Sequence, residues 1–533
     1  MKLQNFWSYL RFVLRRERVI MPIWLLSIVA FTVFLAPAMN EIYGSPAELQ
    51  AYLQTMQNPA MIAMMGPVYG VDNYTFGVMY VNNMLVWMAM LVAIMNIFFV
   101  NRYTRLDEEK DRFEMLRALP MGRMTNIAVI FFLSFLFNLF IAAGIGFGLA
   151  GVGVADMGLQ GSLVLGVTLG TVGLVYATIT GILAQIASTS RGVLGAAMIV
   201  MLADFMIRAV GDLSSENLSR MVPLGLALRT QAFVGNYWWP ILIMLVMTLV
   251  FAILALFLLA RRDLGAGLVK QRAGRTTASK YLISYQAFAA KLMRTTYVVW
   301  GLSVFVLAAS FGSIFGDLEH FIASNPMLKE VLMRQGLTGS LTEQFMPFLM
   351  TIILIIATIP VIQGVNRLQS EEKNGYLEQM MALPLSRSKL MSAFLLNAWL
   401  YSFVILLLNA LGFYVASSQV MADPIALSTF LQASLIYLPV LWIFMGLSIF
   451  LIGCFPRALL VSWLYLFYAF FASYFGQIIG LSDWLSDLSP FGHVPALPLE
   501  SIDWSSSFGM LGISLILIIL GFIGYQRRDG LSA

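Results

Sequence analysis

The sequence predicts an all-α membrane protein with about twelve transmembrane helices, arranged as two parallel six-helix repeats. Composition is the first observation behind this prediction: 60% of the 533 residues are hydrophobic, 11% are charged, and the mean hydropathy is +0.83. Soluble proteins carry roughly a quarter charged residues. A bilayer takes up any number of apolar segments of about 20 residues, whereas a single packed core cannot absorb that much apolar surface. The other two observations are the distribution of basic residues and an internal duplication.

Twelve apolar runs are long enough to cross a bilayer, which requires about 20 residues each. The fourth and fifth runs almost touch, at residues 188–192. The predicted spans are residues 19–38, 78–100, 124–150, 161–187, 192–210, 238–260, 296–316, 343–365, 388–417, 427–453, 457–480 and 507–525.

Lys and Arg indicate which loops face the cytoplasm. With the N-terminus inside, the inner segments contain 27 of the 32 Lys and Arg residues, and such an excess is typical of cytoplasmic loops. An even number of spans places both termini on one side. We therefore expect a multi-pass plasma-membrane protein with cytoplasmic N- and C-termini. The first apolar run lacks a small-residue cleavage site after it and is predicted to be a retained helix.

Several function classes are excluded by residue types. Cys454 is the single cysteine, so no intrachain disulfide is predicted, and His320 and His493 have no Cys partners for a metal site. The net charge of +5 is explained by cytoplasmic loops and does not indicate nucleic-acid binding. The sequence contains no GxxxxGK[ST] phosphate loop, so this chain is predicted not to bind ATP itself. We also expect that it binds no other cofactor and is not an enzyme.

The sequence repeats itself at an offset of 264 residues. Two charged segments, residues 108–123 and 371–387, each follow the second span of a half. An Arg-Arg-Asp triplet also recurs, at residues 261–263 and 527–529. The repeat predicts two halves, residues 1–270 and 271–533, of six spans each and of the same orientation. The identical pairs in the charged segments are Glu108/Glu372, Glu114/Glu378, Ala118/Ala382, Leu119/Leu383, Pro120/Pro384 and Arg123/Arg387.

Each half opens with an amphipathic stretch, residues 6–18 and residues 281–294, which contains both aromatic residues and Arg or Lys. Such stretches predict a helix that lies in the inner membrane interface before the first span of the half.

Each charged segment is predicted to form a short amphipathic helix with one apolar stripe. Pro120 and Pro384 end these helices, and Arg123 and Arg387 anchor the next span at the interface. One such segment alone is typical of a solvated loop, but two copies at the same topological place favour docking of a cytoplasmic partner with twofold symmetry. The stripes consist of Phe113, Leu116 and Leu119 in the first segment and of Leu377, Met380 and Leu383 in the second.

These segments resemble the coupling-helix region of type-2 ABC transporter permeases: two acidic residues, a Glu six residues on, Ala-Leu-Pro and an Arg, between the second and third spans. The stretches LRRERVIMPIW and RRDLGAG more narrowly resemble duplicated permeases that export polyketide antibiotics of the tetronasin type. The first segment departs from the pattern, because Asp111 stands where the second has Gly375. We therefore expect the first segment to be helical throughout and the two docking contacts to differ.

The resemblance implies that this chain supplies both transmembrane halves of an exporter of hydrophobic or amphipathic compounds. Two separate ATPase subunits, expected to be a homodimer that holds ATP and Mg, would bind beneath it and drive alternating access. The residues expected to contact them are Glu108, Glu114, Leu116, Leu119, Pro120 and Arg123 in the first segment, and Glu372, Glu378, Met380, Leu383, Pro384 and Arg387 in the second.

The resemblance also implies a substrate path lined by the second and fifth spans of each half. Aromatic side chains suit large apolar ligands, although aromatic stripes are also typical of helix packing. Asp204 and Arg208, four residues apart, fit either a functional site or a structural pair. The candidate lining residues are Asn82, Asn83, Trp87, Asp204, Arg208, Tyr465, Tyr468, Phe471 and Tyr474.

Three alternatives remain at this point. A secondary transporter driven by an ion gradient would be expected to carry acidic relays at mid-membrane, and these spans are nearly devoid of them. An ABC-driven exporter of lipids or glycolipids fits the same features as a drug exporter. A membrane-bound enzyme would need a cluster of carboxylates or histidines near one interface, and the sequence contains no such cluster.

Overall fold

The computed structural model describes residues 4–112, 122–154, 156–262, 267–269, 276–280, 282, 284–317, 341–376, 386–421, 424–479, 482–502 and 504–528. Within these ranges the secondary structure is helical and includes no strand. Twelve helices in this part of the chain are long and apolar enough to cross a membrane, which confirms the predicted all-α polytopic fold. The orientation of the termini stays a prediction.

The chain divides into two units, Met1–Gly274 and Arg275–Ala533. The described residues contain twelve spans, and six of these lie in each unit. The division at residues 270 and 271, which we derived from the repeat, stays a prediction. The term "first unit" is used below for Met1–Gly274, and "second unit" for Arg275–Ala533.

The first unit begins with a separate helix because the chain breaks at Arg18 and Val19. Pro22 has no backbone N–H, and its ring clashes with the carbonyl four residues earlier, so a continuous helix through this point is disfavoured. The helices are α1 (Phe6–Glu17), α2 (Ile20–Tyr43), α3 (Pro46–Met56), α4 (Pro59–Met65), α5 (Phe76–Asn101), α6 (Thr125–Val152), α7 (Leu159–Ile186), α8 (Ser190–Ser214), α9 (Glu216–Ser219), α10 (Pro223–Leu228) and α11 (Trp239–Arg261).

The second unit begins differently, because its amphipathic opening continues into the first span without a break. No proline interrupts residues 285–312, so one helix covers both predicted elements. The helices are α12 (Tyr285–Gly312), α13 (Leu341–Lys373), α14 (Arg387–Val420), α15 (Leu427–Leu435), α16 (Leu438–Cys454), α17 (Leu460–Ile479), α18 (Asp483–Ser486) and α19 (Trp504–Arg527).

Small residues bring the central helices of each unit close together. A Cβ added to Gly166 of α7 would lie 2.4 Å from the carbonyl oxygen of Ala142 in α6, and one added to Gly453 of α16 would lie 2.0 Å from that of Gly521 in α19. Such approaches are typical of membrane helix pairs, which gain van der Waals contact when their backbones meet. The most buried spans are those of α5 and α7 in the first unit, and those of α13 and of α15 with α16 in the second.

Candidate functional site

The first charged segment begins where α5 gives way to a π-helical turn, Arg102–Leu106, and then a single α-turn, Asp107–Glu109. Asp111 adopts a left-handed conformation with φ of 54°, and its N–H donates to the carbonyl of Glu108 at 3.2 Å. Left-handed residues end helices, and Asp tolerates this conformation better than most side chains. Our expectation that the first segment is helical throughout is therefore wrong.

The second charged segment begins in the same way. Gly375 has φ of 75°, and its N–H donates to the carbonyl of Glu372 at 3.0 Å. Gly375 and Asp111 stand at equivalent positions of the repeat, 264 residues apart. The substitution of Asp for Gly thus leaves the conformation at this point unchanged.

One arginine holds both ends of the first charged segment. The guanidinium of Arg262, just after α11, lies 2.8 Å from the carboxylate of Glu108, and their side chains are 5% and 10% exposed. Arg105 also contacts Glu108, at 3.1 Å. Arg123, at the far end of the segment, donates to the backbone carbonyl of Arg262 and, at 3.1 Å, to that of Leu259. We call Glu108, Arg123 and Arg262 the base of the first unit.

The second unit contains the same arrangement. Arg528, just after α19, lies 2.8 Å from the carboxylate of Glu372, and Arg387 donates to the backbone carbonyl of Arg528. Arg528 also donates to the carbonyl of Ile452 at 3.0 Å, which ties α16 to the same point. We call Glu372, Arg387 and Arg528 the base of the second unit.

The start of the first charged segment is also joined to α1. Asp107, which is buried, accepts two hydrogen bonds from Arg16, at 2.6 and 3.1 Å. This contact raises the pKa of the Arg16 guanidinium above its ordinary value. Glu17 accepts a hydrogen bond from the hydroxyl of Tyr103 at 2.6 Å and pairs with Arg102 at 2.9 Å. Movement of α1 and of the end of α5 is therefore coupled through two buried carboxylates.

Sequence reasoning placed four members of the two bases, Glu108, Arg123, Glu372 and Arg387, among the candidate residues, but it missed the two arginines that hold them. The signal was present, since the Arg-Arg-Asp triplet recurs in both halves. The roles of all twelve candidates as partner contacts stay predictions. Eight of them lie outside the described residues: Glu114, Leu116, Leu119, Pro120, Glu378, Met380, Leu383 and Pro384.

Comparison with known proteins shows to which family this chain belongs. Residues 282–526 match a family model described as "Multidrug efflux system permease Rv1217c, C-terminal domain". Over 528 residues the chain is 30% identical to the multidrug efflux system permease protein Rv1217c of Mycobacterium tuberculosis (strain ATCC 25618 / H37Rv), with 98% of this chain and 94% of that protein covered. The chain belongs to this permease family. Because the alignment covers nearly the whole chain, the family relationship extends through both units.

In this family member, the charged candidates of α8 have other partners than the sequence indicated. Asp204 accepts a hydrogen bond of 2.5 Å from the hydroxyl of Tyr176 and a longer one, at 3.3 Å, from the N–H of Leu224. Arg208 pairs instead with Asp212, four residues further on, at 3.3 Å. The expected pairing of Asp204 with Arg208 is corrected accordingly.

Asp212 also pairs with Arg229 at 3.2 Å, so one buried carboxylate lies between two buried guanidinium groups. Burial lowers the pKa of Arg229, which follows α10. Arg208 further donates to the carbonyl oxygens of Ala63 and Met64 in α4, at 2.8 and 3.1 Å. This cluster, which lies at one wall of an open cavity of about 300 Å³, joins α4 and α8 to the chain after α10.

The remaining path candidates are divided between burial and exposure. In α5, Asn82 is buried, Asn83 donates to the hydroxyl of Tyr52 at 3.0 Å, and Trp87 is exposed. In α17, the hydroxyl of Tyr465 donates to the carbonyl of Leu488 at 2.8 Å.

Tyr468, also in α17, donates to the carbonyl of Leu485, and Phe471 is exposed. The side chain of Tyr474 is not among those that the structure describes. The two tyrosine hydroxyls thus hold the segment that follows α17. Whether any of the nine candidates lines a substrate path stays a prediction.

Proposed function

We propose that this chain is the membrane subunit of an ATP-driven exporter and that a pair of separate ATPase subunits docks on residues 113–121 and 377–385. The observation that supports this most is the repetition of the base. Each unit fixes both ends of its charged segment on one arginine, Arg262 or Arg528. Two equivalent, firmly anchored segments suit a partner with twofold symmetry.

The base also provides a route for mechanical work within a unit. In the first unit it ties the end of α5, the start of α6 and the end of α11 together, because Glu108, Arg123 and Arg262 each come from a different one of these regions. Separating buried, paired charges costs several kcal/mol, roughly 3–5 for loss of one partner. A displacement of residues 113–121 by closing ATPases would therefore move these helices together and drive alternating access.

The family and the resemblance support the substrate class that we propose. The relative is named a multidrug efflux system permease, and the sequence resembles exporters of tetronasin-type polyketides. We propose outward transport of a hydrophobic or amphipathic compound across the plasma membrane, with both termini in the cytoplasm. ATP and Mg would bind to the ATPase subunits, since this sequence contains no phosphate loop.

Docking is tested by charge reversal at Glu114 and Glu378, one residue in each charged segment. The chain is co-expressed with candidate ATPase subunits as wild type, as Glu114→Arg with Glu378→Arg, and as the control Glu41→Arg with Asp487→Arg, which changes two exposed acidic residues near the predicted outer side. We expect the variant with Glu114→Arg and Glu378→Arg to lose copurification, and its permease-stimulated ATPase activity to fall at least tenfold. The control should retain both. Unchanged copurification and unchanged ATPase activity in the variant with Glu114→Arg and Glu378→Arg would exclude this docking mode.

The energy source is tested with the reconstituted complex. Uptake of a fluorescent amphipathic drug into inside-out vesicles is expected to require ATP hydrolysis and to persist when ionophores dissipate the proton and sodium gradients. Uptake that needs a gradient and ignores ATP would instead establish a secondary transporter.

A further inference from the structure

The helix α1 has two chemically different faces. Its inner face is buried and consists of apolar residues with Glu17, which pairs with Arg102. Its outer face carries Arg11, Arg15 and Arg18, spaced four and three residues apart and all exposed. This spacing aligns them on one side of a helix. We call these three residues the arginine stripe.

The arginine stripe differs from Arg16, the fourth arginine of this region. Arg16 points inward and is neutralised by Asp107. Within the described part of the chain, Arg11, Arg15 and Arg18 make no ion pair and no side-chain hydrogen bond. Three positive charges therefore stand together on an exposed surface without a carboxylate among the described residues to balance them.

Large apolar side chains border the arginine stripe on both sides. At 100° per residue, Trp7 and Leu14 fall on one side and Phe12 on the other. Trp7 is 68% exposed and Phe12 is 46% exposed. Exposed aromatic residues beside arginines are typical of helices in the membrane interface, where rings enter the headgroup region and guanidinium groups meet phosphates.

We propose that the arginine stripe binds the phosphate groups of anionic phospholipids. A guanidinium group matches phosphate with two parallel hydrogen bonds, and an uncompensated basic cluster is drawn to an anionic leaflet. The fold places the stripe directly before the first span. Only Arg18 and Val19 separate α1 from α2, the first span, and a helix of 12 residues is about 18 Å long.

The bilayer is favoured over a protein partner because the face is continuous with that span and combines basic with interfacial aromatic residues. Among the described residues of the second unit there is no equivalent stripe. Its opening carries Lys291 and Arg294 on α12, which continues directly into the membrane. The lipid contact is therefore a property of the first unit. The lipid contact also acts on α1, whose Arg16 pairs with Asp107 next to the first charged segment.

Lipid selectivity of the full-length chain tests the proposal. The chain is purified in mixed micelles of equal phosphatidylglycerol and phosphatidylcholine, and retained lipid is counted by native mass spectrometry. The stripe variant changes Arg11, Arg15 and Arg18 to Gln. A matched control changes the exposed residues Arg191, Lys280 and Arg457 to Gln, which alters the net charge equally. A third variant changes the stripe to Lys and keeps the charge.

We expect the wild type to prefer phosphatidylglycerol and the stripe variant to lose about fivefold of that preference or more, since one basic residue near an anionic surface contributes about that factor. The control should keep the preference, and the Lys variant should keep part of it. Equal loss in the control would reduce the effect to net charge and overturn the proposal. An unchanged preference in the stripe variant would also overturn it, and reduced ATPase copurification in that case would assign the face to a protein.

Because the altered side chains are exposed, the variants are expected to fold. A thermal midpoint within about 2 °C of wild type, as is typical of surface substitutions, verifies this for each preparation before lipid is counted.

Discussion

The two units share their base, but the acidic residue next to it is held differently. Glu108 with Arg262 and Glu372 with Arg528 occupy equivalent places and have the same 2.8 Å separation. The residue before each glutamate differs in its partner. Asp107 is bound by Arg16 from α1, whereas Glu371 is bound by Arg367 from its own helix, α13. What the repeat retains is thus the anchoring of the charged segment, and what has diverged is its connection to the first helix.

The ends of the units at the predicted outer side differ as well. The first unit uses buried ions there, with Asp212 between Arg208 and Arg229. The second uses neutral contacts, in which tyrosine hydroxyls of α17 donate to backbone carbonyls. Buried ion pairs are sensitive to loss of one partner, and neutral hydrogen bonds contribute less individually. The two units thus stabilise their predicted outer ends by interactions of different strength. Matched substitutions in the two units test this difference.

The largest expected effect is at the ionic cluster. Asp212→Asn removes the ion-pair partner of the fully buried Arg208 and one of the two carboxylates that pair with Arg229, which keeps Glu216 at 3.3 Å. We therefore expect the free energy of unfolding to fall by about 3–5 kcal/mol. Tyr465→Phe removes one hydrogen bond in the second unit and should cost about 1 kcal/mol. Thermal and denaturant unfolding in detergent measure both, with the exposed Asp487→Asn as control. Equal losses for the two variants would refute the contrast between the outer ends.

An intermediate effect is expected at the two bases. Arg528→Gln leaves the carboxylate of Glu372 without its ion-pair partner, at a cost of about 3 kcal/mol. Arg262→Gln should cost less, about 1–2 kcal/mol, because Arg105 still contacts Glu108.

The chain supplies matched controls for these variants, since the first arginine of each triplet, Arg261 or Arg527, is exposed. Its change to Gln should remain within about 0.5 kcal/mol. The ranking of the bases is wrong if Arg262→Gln proves as costly as Arg528→Gln in the same unfolding assay.

The smallest effects, of opposite sign, are expected at the left-handed residues. Gly375→Ala should destabilise by about 1 kcal/mol. A Cβ there meets no atom within 4 Å, so the cost is purely conformational. Asp111→Gly should stabilise by a few tenths to about 1 kcal/mol, because Gly adopts positive φ at no steric cost. Denaturant midpoints of the two variants check the prediction, and changes of the same sign would show that the positions are not equivalent.

Much of the fold was predictable because hydropathy alone decides which segments enter a bilayer. The break between Ile186 and Ser190 and the start of α1 at Phe6 follow from the sequence within two residues. The conformation of Asp111 was not predictable, since Asp is compatible with both a helix and a left-handed turn. Its alignment with Gly375 was the better guide.

The candidate site was predictable only in part, because spacing does not choose between competing partners. Arg208 has a carboxylate four residues away on either side, Asp204 and Asp212. The choice is made by Tyr176 and by the N–H of Leu224, which occupy Asp204. Both come from distant parts of the sequence, so no local pattern contains the information. The arginines of the bases were detectable through repetition but not through spacing.

The double use of one residue in each base has a consequence for how this protein can change. The side chain of Arg262 pairs with Glu108 at the beginning of the first charged segment, and its carbonyl group accepts a hydrogen bond from Arg123 at the end. The distance between the two ends is then set by the arginine itself and not by the residues that connect them. Residues 113–121, which lie between the anchor points, can therefore differ in sequence and length to suit a new binding partner while the membrane helices stay as they are.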